Sequence, residues 1–427
     1  MTPALRPYSP KLADKSIVYQ PTTTPGNKPI GVGHAYSLLA CLPEKDSAAP
    51  WVLPLDMQRV CTTEKGPEVG IDQFIACVAE NPSVVDTKTC VISGDSSYFV
   101  ATNQAKVDAK ENLVLICRMK SNRKVYVRYQ GKGPKKYDQC MRLNDPSSHR
   151  IPDQTLSYCL QTHRGKRYQV DINCWHDRVR RGTQTFKGHE HPFHLLECVL
   201  TDAQTGKRLY QRPLWLAVCG QRRGDLALDQ VVQSYDQRYD LEHFFRFSKQ
   251  HLLLDRFQTP AVDHEQKWWQ MAQLAYLQLY LARTEITSVP HPWEAYLPHY
   301  RVEQKEASPS QIKKCFDLVL DQIGTPAHAV LATQAGHGRA QGQGQTPRQD
   351  HPIVFKTVKK DTAKTTTTQT REKAKKPAVS GLEISANLLK PQTFDELVDF
   401  VKGLLKQADI NCKEFAEKLK EPEAIAT

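Results

Sequence analysis

Apolar and polar positions alternate in short runs over the first hundred residues. Residues 30–42 and 51–60 read as strands, and 68–80 as a helix, with turn residues between them. A further β-rich run at 89–93 ends in Gly94-Asp95-Ser96-Ser97-Tyr98, and 113–117 forms the next, so Asp95 is expected at the exit of a strand. From 124 to about 223 the period shortens. Val125, Val127 and Tyr129, and again Tyr168, Val170 and Ile172, alternate as in short strands, with a hairpin turn at 202–206. Residues 226–254 read as one long helix. A second spans 265–283, where Trp269, Ala272, Tyr276, Leu279 and Tyr280 recur at helical spacing and mark a core face.

A helix at 311–323 follows, then a Gly- and Gln-rich stretch at 337–345. Its glycines follow no strand and open no helix, which excludes a phosphate-binding loop. Residues 356–376 hold eight Lys or Arg against two acids, with four threonines in a row, and read as a basic linker. Beyond it, Thr393 and Glu396 form a capping box ahead of an apolar face made by Phe394, Leu397, Val398, Val401, Leu404 and Leu405. The expected divisions are 1–123, a β-rich insertion at 124–223, a helical completion at 224–330, a linker at 331–380 and a helical tail at 381–427.

Charge narrows the partner. The 58 Lys and Arg against 46 Asp and Glu leave a formal charge of +12 on 427 residues, which favours a polyanion. A membrane would need an apolar run of roughly 20 residues, and none approaches that length. The protein is therefore expected in the cytoplasm, at the nucleoid. Basic residues crowd 163–167 and 178–181, close to Trp175, where cations could meet phosphates and the indole could stack on an unpaired base. The alternative is a solvated β surface with one packed Trp. The twelve cysteines stand singly, with no C-x-x-C pair. His189, His191, His194 and Cys198 come nearest to a metal cluster, but their spacing fits no standard zinc module.

One stretch carries the chemistry. In Tyr235-Asp-Gln-Arg238-Tyr-Asp-Leu-Glu242-His-Phe-Phe-Arg-Phe-Ser-Lys249, a turn of roughly 100° per residue would set Tyr235, Arg238, Glu242 and Lys249 on one side of a helix. Such a stripe is usually only a solvated face. The spacing, however, resembles the Tyr, Arg, Glu, Lys signature of a large group of bacterial insertion-sequence transposases, the DDE type, and matches it at every position.

The resemblance implies a ribonuclease-H-like α/β fold, an integrase-type mixed sheet with a β-rich insertion. It implies Glu242 and Asp95 as catalytic, metal-binding carboxylates for Mg²⁺ or Mn²⁺. Tyr235, Arg238 and Lys249 would lie near DNA, and Arg118 and Arg123, in the strand and Arg-rich turn after Asp95, would join them. The implied activity is DNA cleavage and strand transfer during transposition, by a homodimer on DNA. The family's first aspartate precedes the segment that Thr2-Pro3-Ala4-Leu5-Arg6-Pro7 resembles, so the chain is expected to begin just after it. Asp14 is the one acid ahead of residue 30 that could stand in. Two metal ions about 4 Å apart need a bridging carboxylate, so the chain as it stands is expected to bind DNA and cleave it poorly.

Overall fold

The computed structural model describes residues 2–5, 10–19, 30–43, 50–85, 87–162, 165–256, 261–283, 307–323 and 348–355. The Gly- and Gln-rich stretch, the basic linker and the helical tail lie outside them. Two compact units divide the chain, one of 1–76 with 87–355, the other of 77–86 with 356–427. In chain order the strands are β1 (Thr2–Leu5), β2 (Ser16–Tyr19), β3 (Ile30–Cys41), β4 (Leu53–Val60), β5 (Cys90–Gly94), β6 (Leu113–Arg118), β7 (Lys124–Arg128), β8 (Tyr137–Arg142), β9 (Gln154–Gln161), β10 (Arg167–Val179), β11 (Phe193–Asp202) and β12 (Leu214–Cys219). The helices are α1 (Gly66–Glu80), α2 (Pro82–Val85), α3 (Ala101–Asp108), α4 (Leu228–Asp236), α5 (Asp240–His251), α6 (Val262–Leu281) and α7 (Pro309–Ile323).

The smaller sheet is antiparallel and centred on β3. The first half of β3 pairs with β1 and β2, and residues 35–41 pair with β4. Helix α6 covers it, with Trp269 stacked on Tyr36 at 4.2 Å between ring centres. Glu265 of α6 is fully buried and bonded to His34 of β3.

The larger sheet is mixed and eight-stranded, in the order β5-β6-β12-β11-β10-β7-β8, with β9 also on β10. Only the β5–β6 pair is parallel. Strands β6 and β12 are almost wholly apolar because both their faces are covered, whereas β9 alternates like a strand with one wet face. The strands of 124–223 do not build a sheet of their own. They continue the one that starts with β5 and β6, since β12 sits between β6 and β11.

Leu228, Val231, Val232 and Tyr235 recur at i, i+3, i+4 and i+7, so α4 buries one stripe on Val114, Ile116, Leu196 and Leu216 of this sheet. The expected single helix over 226–254 is broken. A 3₁₀ turn at Gln237–Tyr239 separates α4 from α5. Each half has its own packing partner, because Phe244 and Phe247 of α5 meet Tyr276 of α6. In one straight helix Tyr235 and Phe244 would point about 180° apart.

Candidate active site

Strand β5 delivers Asp95 to an exposed turn. The Ser97 N–H and hydroxyl both donate to Asp95 Oδ1, at 2.7 and 2.5 Å, and the Tyr98 N–H donates to the Asp95 carbonyl. This Asx-type turn orients one carboxylate oxygen. Glycine is required just before it, because a Cβ on Gly94 would fall 2.6 Å from the Tyr98 ring. The same ring runs on to Gly70 of α1, where a Cβ would lie 2.8 Å from the hydroxyl.

One contact joins the strand before this turn to α4, next to Tyr235. The Ser93 hydroxyl donates to the Ser234 carbonyl at 2.9 Å, across 141 positions of sequence. Tyr98 follows in the same turn. Burial pushes its phenol up to about 12, the charge of Asp95 adds to the effect, and Arg238 opposes it.

Arg238 is half-buried, its guanidinium 5.4 Å from the Tyr235 ring centre and 4.7 Å from that of Tyr239. Burial raises Tyr235, while Arg238 and Arg118 pull it down. Arg118 is exposed at the end of β6, one residue beyond the Gly94–Cys117 pair. Arg123 is exposed after a tight turn closed from its N–H to the Lys120 carbonyl.

Glu242 is exposed in the first turn of α5, where a negative charge also suits the helix dipole. Lys249, two turns on, is half-buried. Burial lowers its ammonium and Asp255 opposes the shift. Among the described residues, neither Asp95 nor Glu242 has a basic group within ion-pair distance.

Two expectations need correction. Trp175 is 1% exposed, donates its ring N–H to the Arg150 carbonyl at 2.9 Å and stacks on Trp215. It has no free face for a base. Tyr235 is 2% exposed, because it completes the apolar stripe of α4 rather than opening a polar one. Its ring supports Arg238 from beneath and does not itself meet solvent. Sequence reasoning missed the Ser93–Ser234 tie and the packing of Tyr98 on Gly94 and Gly70. The cue was present in Ser93-Gly94-Asp95, small residues that let a helix and an aromatic ring approach the strand end.

Asp14 does not stand in for a third acid. It bridges to Arg59 at 2.7 Å and bonds the Thr62 N–H and hydroxyl. Burial works to raise it, yet these partners hold its carboxyl below the ordinary value. Among the described residues no three His, Cys, Asp or Glu side chains are grouped to hold a metal ion. The histidines at 189–194 have separate partners: His191 bonds Asp108 at 2.7 Å, His189 neighbours Glu190, and His194 accepts the Asp177 N–H. Cys198 is sealed within β11. Hard carboxylate oxygens such as those of Asp95 and Glu242 are the kind that suit a divalent ion.

A family model described as the transposase DDE domain matches residues 66–278, a span that holds Asp95 and the whole segment from Tyr235 to Lys249. No curated protein matches the chain.

Proposed function

Because the chain belongs, over residues 66–278, to the DDE-type transposases, we propose that it is the catalytic part of a bacterial insertion-sequence transposase with a ribonuclease-H-like core. Asp95 and Glu242 are its metal-binding carboxylates. The observation that supports this most is the tie between two distant motifs: the Ser93 hydroxyl, two residues before Asp95, donates to the carbonyl of Ser234, next to Tyr235.

In this reading Asp95 and Glu242 hold Mg²⁺ or Mn²⁺, which supplies Lewis-acid activation of phosphate. Arg238, braced by two tyrosine rings, and Arg118 hold a DNA phosphate beside them. Lys249 supplies a further cation on α5. DNA is the partner the family implies, bound here by a homodimer. Among the described residues no helix is long and apolar enough to cross a membrane.

The test is cleavage of duplex DNA carrying the sequences that flank the coding region, with Mg²⁺ or Mn²⁺. Asp95→Asn and Glu242→Gln should each lower the cleavage rate by at least about a hundredfold while binding stays within a few-fold. Undiminished cleavage in both variants would remove the assignment. A second reading, DNA binding without chemistry, is favoured by one observation: among the described residues no three His, Cys, Asp or Glu side chains are grouped to hold a metal ion. Salt-sensitive binding with no metal-dependent cleavage by the unaltered chain would select it.

A further inference from the structure

The charge is not spread evenly. Between 123 and 142 there are seven Lys or Arg and one acid, so six of the chain's twelve net positive charges fall in 20 residues. These residues are the β7–β8 hairpin and its approach. β8 pairs only with β7 and forms one edge of the larger sheet. The loop from 130 to 136 is exposed throughout, with Gly133 at φ +112° opening the turn.

Three features mark the hairpin as built for a polyanion. Lys124 lies directly across the ladder from Arg142, a like-charge pair that costs stability in isolation. Asp138, the one acid, is bridged to Lys135 at 3.1 Å. Among the described residues Lys124, Arg128, Lys132, Lys136 and Arg142 have no carboxylate within ion-pair distance. The field is felt nearby: burial lowers the His189 imidazole, and Lys136, Arg128 and Lys187 push it the same way.

The aromatic rings favour duplex over single strand. Tyr129 has Lys135 over its ring at 4.6 Å, Tyr126 has Arg181 at 5.4 Å, and Tyr137 packs between Tyr126 and His189. Each of these rings already carries a cation or another ring, which leaves less of it for the stacking on unpaired bases that single-strand binding would use. A two-stranded ribbon fits the groove of a duplex, and free cations along it reach the phosphates on either side.

We propose that the β7–β8 hairpin is a phosphate-tracking arm that grips duplex DNA through Arg128, Lys132 and Lys136, apart from the carboxylates. This rests on the reading that the chain acts on DNA. The test measures binding of the full chain to duplex DNA against salt, for the unaltered protein, for R128Q/K132Q/K136Q, and for the control K207Q/R208Q/R212Q, which removes the same charge from another exposed turn. Each lost phosphate contact lowers the slope of log affinity on log salt by ~0.9. The hairpin variant should lose about 2 to 3 from that slope and bind at least about tenfold more weakly, with an unchanged melting temperature. The control should keep most of its slope.

Equal losses in the two variants would reduce the effect to bulk charge and overturn the proposal. So would an unchanged slope in the hairpin variant while the unaltered protein binds; in both cases the transposase reading survives. If the unaltered protein binds no duplex DNA at low salt, both fall together. A stronger loss for single-stranded than for duplex DNA would replace the duplex with an unpaired strand and also overturns the proposal as stated.

Discussion

Glu265 and Glu242 are both glutamates near the start of a helix, and the fold treats them in opposite ways. Glu265 is fully buried, its two oxygens 3.0 and 3.1 Å from His34 Nδ1, while His34 Nε2 lies 2.8 Å from the Ala13 carbonyl. A carbonyl only accepts, so Nε2 carries a proton, and a second must lie between Nδ1 and the carboxylate. Taken together the pair is neutral and every polar atom is satisfied, which makes its burial tolerable. It fastens α6 to β3 and to the segment around Ala13. Glu242, by contrast, is exposed and has no basic partner among the described residues. An acid that stability does not employ is one that chemistry can.

The largest expected effects lie on the sealed side of that contrast. Glu265→Leu should lower the unfolding free energy by about 3 to 5 kcal/mol, because it strands a buried imidazole. His34→Phe combined with it should cost less than the two single changes summed. Urea unfolding measures both, and a single-variant loss below about 1 kcal/mol would make the pair incidental to the fold. Trp175→Ala belongs to the same class. It should cost about 3 to 5 kcal/mol as a core truncation and leave the DNA affinity of the folded protein unchanged. A drop in affinity at constant stability would return the indole to the surface role expected of it from sequence.

The next effect depends on pH. His194 is held down to about 4, first by burial and then by Arg223 and His176. An unfolded His protonates near pH ~6.5, so between about 6.5 and 4 the unfolded chain binds a proton that the folded one refuses. Stability is then complete above pH ~6.5 and falls as pH drops towards 4, by on the order of 2 to 3 kcal/mol. His189, also lowered, works in the same direction. Unfolding midpoints taken across this window should slope for the unaltered protein and flatten for His194→Gln. Parallel curves would remove His194 as the source.

The same contrast explains what could be read in the sequence. Elements with a clean period were legible: β5, β6, α1 and α6 fall where the apolar spacing sets them, and Asp95 stands at a strand exit because small turn residues follow an apolar run. The motif beginning at Tyr235 was legible as spacing but not as environment. Tyr235 has the size and polarity of a site residue, yet it completes the run of Leu228, Val231 and Val232, and that older rule of periodicity wins. Trp175 misled for a related reason: neighbouring basic residues say nothing about which side of β10 an indole takes. The break between α4 and α5 was hidden because it arises from two packing partners distant in sequence. So was the tie from Ser93 to Ser234, a contact with no local signature.

The smallest expected effect on the fold falls on the two exposed acids, and it separates chemistry from architecture. Asp95→Asn keeps a side-chain carbonyl, so the bonds from the Ser97 N–H and hydroxyl to Oδ1 persist, and stability should change by less than about 0.5 kcal/mol. Glu242→Gln removes a charge from the first turn of α5. If that acid serves only the helix dipole, the variant should lose about 0.3 to 1 kcal/mol, and the loss should shrink as salt is added. If it also faces Asp95 in the proposed metal site, relieved repulsion between the two acids should offset that loss, and the protein should melt as before. Melting curves at low and high salt, run beside the cleavage assay, tell these apart. A salt-sensitive loss of stability with cleavage intact would make Glu242 a helix-terminal residue and would remove it from the proposed metal site.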